Sequence, residues 1–414
     1  MCHTPLMTRL QRFRAYMARM NPVADPAQAI KDGLYVPPPA PTVAEQLAMS
    51  LELEPASTHL VLGGIGSGKT TELLQTQKRL RDSLSEEGDQ VVYLDVSRRH
   101  DLGSSELAGV LVALAGLDLA NRARRLASPE AVEVVKEAHN RLTRHAHGYT
   151  QWVDNPYEND MPPDEDESDL YPVRVSGALV PPERPIPEKL ADLIPHLRTL
   201  RAVFPGDDAH AVFLFDSLDR LPSPKLFREA VQHDLRVLKA AGVGVAVIGP
   251  IRFIAGNDRA ITDLFDHTHY QLATDPDRPE GIDFLQAVLR RRAEAEVLPD
   301  ECLSPMARAS GGVLRDLISL AKSAGNEAYA AGHDPIGLED VGRAIDAFGR
   351  DLAIGLDDDQ VKKLKHLRRG GGFVIRGERE LSLLETRRVL FYGGSRWAVH
   401  PALAPLLDAV PEAV

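Results

Sequence analysis

Residues 63–70 read G-G-I-G-S-G-K-T, and no other stretch constrains this chain as strongly. They fit the spacing G-x-x-x-x-G-K-[ST], with Gly63, Gly68, Lys69 and Thr70 at the fixed places. Residues 59–62 (H-L-V-L) read as the end of a short buried strand, and a helical pattern opens at Thr71 with Leu73 and Leu74. Strand, glycine loop and helix in this order form a cradle for a phosphate chain. Gly63, Gly64, Gly66 and Gly68 let the backbone turn its N–H groups inward, Ser67 and Thr71 complete the cradle, and the helix start adds partial positive charge. Lys69 is then expected to reach the β- and γ-phosphates of ATP, and the Thr70 hydroxyl to hold Mg²⁺. A glycine-rich turn matching by accident has no need of the flanking strand and helix.

A second stretch supplies the acid that such a loop requires. Residues 211–216 (A-V-F-L-F-D) are five apolar residues ending in Asp216, the pattern of a central parallel strand with a carboxylate at its C-terminal edge, where ligands bind in such sheets. Asp216 is expected to share the Mg²⁺ shell with Thr70. Asp219, three residues on, is a candidate to orient or deprotonate the attacking water. The bland alternative for both acids is helix capping before Pro224. Further strands are expected at 90–96, 243–248 and 269–273, with helices at 43–53, 104–119 and 188–204 between or before them. Alternating strands and helices around a phosphate loop predict an α/β fold, a doubly wound parallel-sheet P-loop NTPase domain.

The 414 residues, 43% of them hydrophobic, suffice for several cores. The expected division is an N-terminal helix and linker over 1–54, the α/β domain over 55–275, an all-α lid over 276–356 and a small domain over 357–414. No run of 18 apolar residues exists, so no membrane partner is expected. The two cysteines, Cys2 and Cys302, have no metal spacing and suit a reducing, cytoplasmic setting. Residues 148–187 interrupt the α/β pattern with an acidic, proline-rich insertion that has no Lys or Arg between 148 and 173.

Four further features bear on function. Residues 1–24 form a basic amphipathic pattern with Leu6, Leu10, Phe13, Met17 and Met20 at helical spacing, suited to docking on the protein itself or to a membrane or nucleic acid. Tyr35 and Val36 precede three prolines and could supply part of a flat apolar pocket for adenine. Residues 310–317 (S-G-G-V-L-R-D-L) start a helix with Arg315 in its first turn. Residues 357–414 read as helices followed by a glycine-turned hairpin, the outline of a winged helix. Between 361 and 400 this segment holds ten Lys and Arg against three Glu, a local basic surface on a chain of net charge −12. Contact with duplex DNA and docking of a protein both fit that surface.

In this order the motifs resemble the AAA+ superfamily of P-loop ATPases, and within it the STAND and initiator-type branch with a C-terminal winged helix. The resemblance covers residues 30–414 and rests on residues 63–70, F-L-F-D-S-L-D-R at 213–220, G-G-V-L-R at 311–315 and the terminal segment. It implies that Arg315 is the second-sensor arginine of the lid and that Tyr35 and Val36 form the adenine-side linker. Two departures stand out: Gly249-Pro250 follows the strand where relatives carry a polar sensor, and Phe265-Asp266-His267 stands where many carry an arginine finger, with Arg252 and Arg259 nearby. The resemblance therefore implies a slow switch that binds ATP and ADP and acts through self-association or a protein partner, as in signalling and bacterial defence. An initiator-like or transposition-type ATPase bound to DNA is the alternative.

Overall fold

The computed structural model describes residues 7–83, 91–103, 107–126, 132–147, 149–152, 177–180, 187–204, 211–221, 223–255 and 259–409. Its strands are β1 (Thr58–Gly63), β2 (Val91–Asp95), β3 (Tyr149–Trp152), β4 (Gly177–Val180), β5 (Ala211–Asp216), β6 (Val243–Pro250), β7 (His267–Gln271), β8 (Val389–Phe391) and β9 (Trp397–Val399). Five of them form one sheet in the order β2-β5-β6-β1-β7, with every pairing parallel. Strands β1, β5 and β6 are buried along their whole length, as an all-parallel sheet covered on both faces requires.

Alternation along these strands sends side chains to two layers. Leu60, Leu62, Phe213, Phe215, Val245 and Val247 join one core, against the helices Val110–Leu126, Ile194–Arg201 and Pro224–Ala240. Val61, Val212, Leu214, Ala246 and Ile248 join the other, with the helices Val43–Leu53 and Lys69–Ser83. Each fully buried Leu, Val or Phe contributes about 1.5–3 kcal/mol, so slipping one strand by a residue would exchange the two cores and is strongly opposed. This is a doubly wound P-loop fold.

The helix expected at 188–204 is shorter. Residues Pro187–Leu193 form a 3₁₀ segment, and the α-helix runs Ile194–Arg201 with Pro195 in its first turn, where the missing N–H costs nothing. The helix expected at 104–119 runs Val110–Leu126, and a second helix, Val132–His147, follows it. Asp234, fully buried, accepts bonds from the backbone N–H groups of Gly109, Leu111 and Val112 at 2.7, 2.8 and 3.1 Å. It thereby satisfies donors that the start of Val110–Leu126 would otherwise leave orphaned. The insertion's residues 153–176 and 181–186 lie outside the described residues; β3 and β4 pair antiparallel around the first of these stretches.

Beyond β7 the chain is helical, with Pro279–Arg290, Leu303–Ala309, Leu314–Ala331 and Leu338–Ala353. Their core also takes in Phe13, Tyr16 and Met20 from the N-terminal helix Arg9–Arg19. Phe13, Met17 and Met20 of the expected apolar stripe thus dock on the protein's own helical region, and Leu6 lies outside the described residues. Tyr16 Oη donates to the Ala321 carbonyl at 2.6 Å, while Leu10 on the same helix stays exposed. At the entry to Leu314–Ala331, Gly312 has φ +76°, and a Cβ there would collide with the Thr274 backbone. Only glycine lets the helical region close onto the chain leaving β7.

The last segment comprises the helices Asp358–Arg368 and Glu378–Glu385, the β8–β9 hairpin and the helix Ala404–Ala409, around Leu364, Leu367, Leu383, Val389, Leu403 and Leu407. Trp397 stacks on Phe391 with centroids 4.3 Å apart, and Gly393 and Gly394, both at positive φ, turn the hairpin. Among the described residues no helix is long and apolar enough to cross a membrane.

Candidate phosphate-binding site

The loop 63–70 leaves the C-terminal end of β1, and Asp216 ends β5, two strands away across β6, about 10 Å at ordinary strand spacing. Lys69 links the loop to Asp219, three residues beyond Asp216. Its Nζ donates to the carbonyls of Gly63 and Gly64 at 2.8 and 2.9 Å and lies 3.0 Å from Asp219 Oδ2. Lys69 is buried, so its charge is met by these three oxygens rather than by water. Thr70 and Thr71 follow in the first turn of the helix Lys69–Ser83.

Asp216 is buried and held on both oxygens. Tyr93 Oη donates to Oδ2 at 2.7 Å, and the Ser217 N–H donates to Oδ1 at 2.6 Å. Burial and the Asp216 charge push the Tyr93 hydroxyl well above its usual range, so it stays a neutral donor. Ser217 adopts φ +74°, uncommon for a residue with a Cβ. Its hydroxyl donates to Asp95 Oδ1 at 2.7 Å, which ties the turn to the end of β2. Burial works against the Asp95 carboxylate, but bonds from Ser97 and Ser217 outweigh it and hold it below its usual range.

The helical region covers the loop. The Arg315 N–H donates to the Gly66 carbonyl at 3.2 Å. Gly66 has φ +84°, and a Cβ there would stand 2.5 Å from Arg315 Cβ, so the two chains meet backbone to backbone. The Arg315 guanidinium makes no hydrogen bond or ion pair among the described residues. Burial and then the neighbouring Arg387 destabilise its positive form and lower its pKa; Arg220 acts in the same sense, while Asp316 and Asp219 oppose. Lys69, Arg315 and Arg387 thus each reach the loop, at Gly63 and Gly64, at Gly66 and at Ile65, an arrangement of charge that suits an anion.

A cleft opens beside the loop. Tyr35 and Val36 line it with Ile30, Leu314, Phe284 and Val288, and Ser67, Gly68 and Thr71 form its loop wall. The sequence-selected aromatic segment and the phosphate loop thus share one cavity. Burial and the nearby Glu72 charge push the Tyr35 hydroxyl up to about 12. Arg292 fixes the segment by donating to the Leu34 carbonyl at 3.0 Å.

No family model and no curated protein matches the sequence. Among solved structures the chain is similar to Drosophila ORC bound to DNA, at 13% identity and a TM-score of 0.44, covering 99% of this chain and 95% of that one. It is similar to Cdc6p from Pyrobaculum aerophilum at 15% identity and 0.43, covering 94% and 97%. It is also similar to the Thermotoga maritima RuvB Holliday junction branch migration motor at 15% identity and 0.38, covering 89% of this chain and 94% of that one.

Several site residues escaped the sequence reading. Gln271, at the end of β7, donates from Nε2 to the Ser67 carbonyl at 3.0 Å. Tyr93 and Asp95 brace Asp216 and Ser217, and their place at the end of an apolar strand beside β5 is the signal that could have found them. Arg252, one of the two arginines near the place of an arginine finger, is instead paired with Glu385 at 2.9 Å and Glu378 at 3.0 Å; the side chain of the other, Arg259, lies outside the described residues. Much of the C-terminal basic count also turns toward the protein. Arg387 pairs with Asp316 at 3.1 Å, Arg388 donates to the Leu352 carbonyl at 2.8 Å and Arg396 pairs with Asp275 and Asp277 at 2.8 and 2.7 Å. Lys363 pairs with Glu380, Arg368 with Asp408 and Arg379 with Asp359.

Proposed function

We propose that this chain is an ATP-binding, slowly hydrolysing switch of the AAA+/STAND type. The observation that carries the reading is the meeting of Lys69, Asp219 and Arg315 at one loop, the first two from the α/β sheet and the third from the helical region. A site built from two regions changes their relative stability when filled, and a ligand shifts such an equilibrium by its differential affinity for the two arrangements.

In this reading Tyr35 and Val36 flank the base, and the backbone of Gly64, Gly66, Ser67 and Gly68 cradles the phosphates with Thr71. The donor set of the Thr70 hydroxyl and the Asp216 carboxylate fits Mg²⁺, a hard cation that takes oxygen ligands. When bound, that ion neutralises charge on the phosphate oxygens. Lys69, held by Asp219 and two loop carbonyls, exchanges Asp219 for a phosphate oxygen. Asp219 is thereby released to orient or deprotonate water. Arg315 completes the charge from above and holds the lid. The end of β6 offers Gly249 and Pro250 where a polar sensor would align the water, and Arg252 is committed to Glu378 and Glu385; both features suit slow turnover. The terminal helices and hairpin, read as a winged helix, are the part that moves to regulate self-association or a protein partner.

The test is ATP binding and hydrolysis by the purified chain beside two variants. Lys69→Ala is expected to abolish both. Asp219→Asn is expected to keep binding and lose about 10²–10⁴-fold in turnover, the usual worth of a general base. Hydrolysis by the native chain no faster than by Lys69→Ala would overturn the ATPase reading.

A further inference from the structure

The C-terminal segment reaches the phosphate loop through one side chain. Arg387 lies between the helix Glu378–Glu385 and β8, and its Nη1 stands 3.5 Å from the Ile65 carbonyl and 3.1 Å from Asp316 Oδ1. Ile65 belongs to the first half of the loop, where the Lys69 amine binds the carbonyls of Gly63 and Gly64. The cavity that takes Tyr35 and Val36 opens on the other half, at Ser67, Gly68 and Thr71. A nucleotide with its base in that cavity and its phosphates along the loop brings its last phosphate to the Arg387 end.

Three observations set Arg387 apart from an ordinary surface arginine. Its backbone is left-handed, with φ +61°, a conformation that side-chain-bearing residues avoid, so the turn that aims it is held by the structure around it. It sits close enough to Arg315 for the two like charges to repel. The carboxylates at hand are already committed, Asp219 to Lys69 and the buried Asp316 to Arg387 itself. Two guanidinium groups kept together with this little negative charge suit an anion, and guanidinium is the side chain best matched to phosphate oxygens.

The segment is also fastened on both sides of Arg387. Arg252, beyond β6, holds Glu378 and Glu385. On the other side Arg396 holds Asp275 and Asp277, and Tyr392 Oη donates to the Gly311 carbonyl at 2.9 Å. The position of Arg387 over the loop therefore depends on docking of the whole segment against the sheet and the helical region together.

We propose that Arg387 is a contact for the terminal phosphate supplied in cis by the C-terminal segment, so that the nucleotide site is complete only while that segment is docked. The proposal rests on the ATP-binding reading and deepens it: the nucleotide's last phosphate is read by the part of the chain that moves. Loss of that phosphate removes the partner shared by Arg315 and Arg387, restores their mutual repulsion and loosens the segment.

The experiment titrates the full chain with a fluorescent non-hydrolysable ATP analogue and with the matching ADP, in the native chain, Arg387→Ala, Arg387→Gln and Lys69→Ala. Arg387→Ala is expected to weaken the ATP analogue about 10–100-fold, the range for a lost hydrogen bond to a charged group, and ADP by less than about threefold. Equal weakening of both nucleotides, or of neither, overturns the proposal while Lys69→Ala still loses both. Native-like binding by Lys69→Ala would instead remove the ATP-binding reading underneath it. Arg387→Gln, similar in length and able to donate to Ile65, decides the matter if the alanine variant does not fold. Loss of the preference for ATP with an unchanged nucleotide-free melting temperature supports the phosphate contact, and an unchanged preference overturns it.

Discussion

Asp219 lies 3.0 Å from the Lys69 ammonium, so a phosphate entering the loop competes with a carboxylate for the same cation. That competition works only if the loop and Arg315 approach as closely as they do. Gly66 is the residue that allows it, at φ +84° and with Arg315 Cβ where its own Cβ would point. Gly66→Ala is expected to cost about 1–3 kcal/mol in backbone strain and to weaken nucleotide binding at least tenfold with Lys69 intact; equilibrium titration checks it. A second residue-scale prediction concerns pH. Burial, and then neighbouring His269, lowers the His59 pKa to about 3, and burial with the nearby His267 lowers that of His269 to about 4. The pair bonds neutral, Nδ1 to Nε2 at 3.1 Å, and His59 also meets Ser57 Oγ at 2.7 Å. Because unfolded histidine titrates near 6.5, the unfolded chain takes up protons first as pH falls, and the stability present above that value declines from about 6.5 toward 4. The urea midpoint should fall over that interval, and less so in His269→Gln. At this scale the sequence made Lys69, Thr70, Asp216 and Asp219 legible because one local spacing carries each of them. Gln271 and Arg387 were not legible, because they meet the loop only after more than 200 residues of intervening chain have folded back; in sequence Arg387 is one basic residue among ten.

Among the elements, the helix Val43–Leu53 has the bounds its pattern predicts, since Thr42 and Glu45 close a capping box at its start. The helix Ile194–Arg201 begins later than expected because apolar periodicity does not register Pro195. The capping of Val110–Leu126 was illegible for a different reason: its donors are met by Asp234, on another helix. Asp234→Ala leaves three buried N–H groups unpaired and is expected to cost several kcal/mol, at about 1–3 kcal/mol for each such group, read from urea unfolding. The N-terminal helix makes its own prediction. Phe13 is buried between helices and 5.4 Å from the Tyr329 ring; Phe13→Ala should cost about 3–5 kcal/mol. A helix that served a membrane or nucleic acid instead would lose its ligand and leave stability unchanged.

Across the whole molecule, the sheet, the helical region and the C-terminal segment meet around residues 63–70, and each contributes a cation there: Lys69, Arg315 and Arg387. The parallel sheet and its loop followed from apolar runs and glycines. The way the terminal segment turns Arg387, Arg388 and Arg396 toward the protein did not, because a charge count carries no direction. Nucleotide is proposed to link these three regions, and amide hydrogen exchange of the full chain with a non-hydrolysable ATP analogue and with ADP, using Lys69→Ala as the reference for no binding, tests that link most directly. Slower exchange over residues 314–318 and 378–400 with the ATP analogue than with ADP, absent in Lys69→Ala, is the predicted result. Identical exchange with the two nucleotides at saturation would contradict the switch.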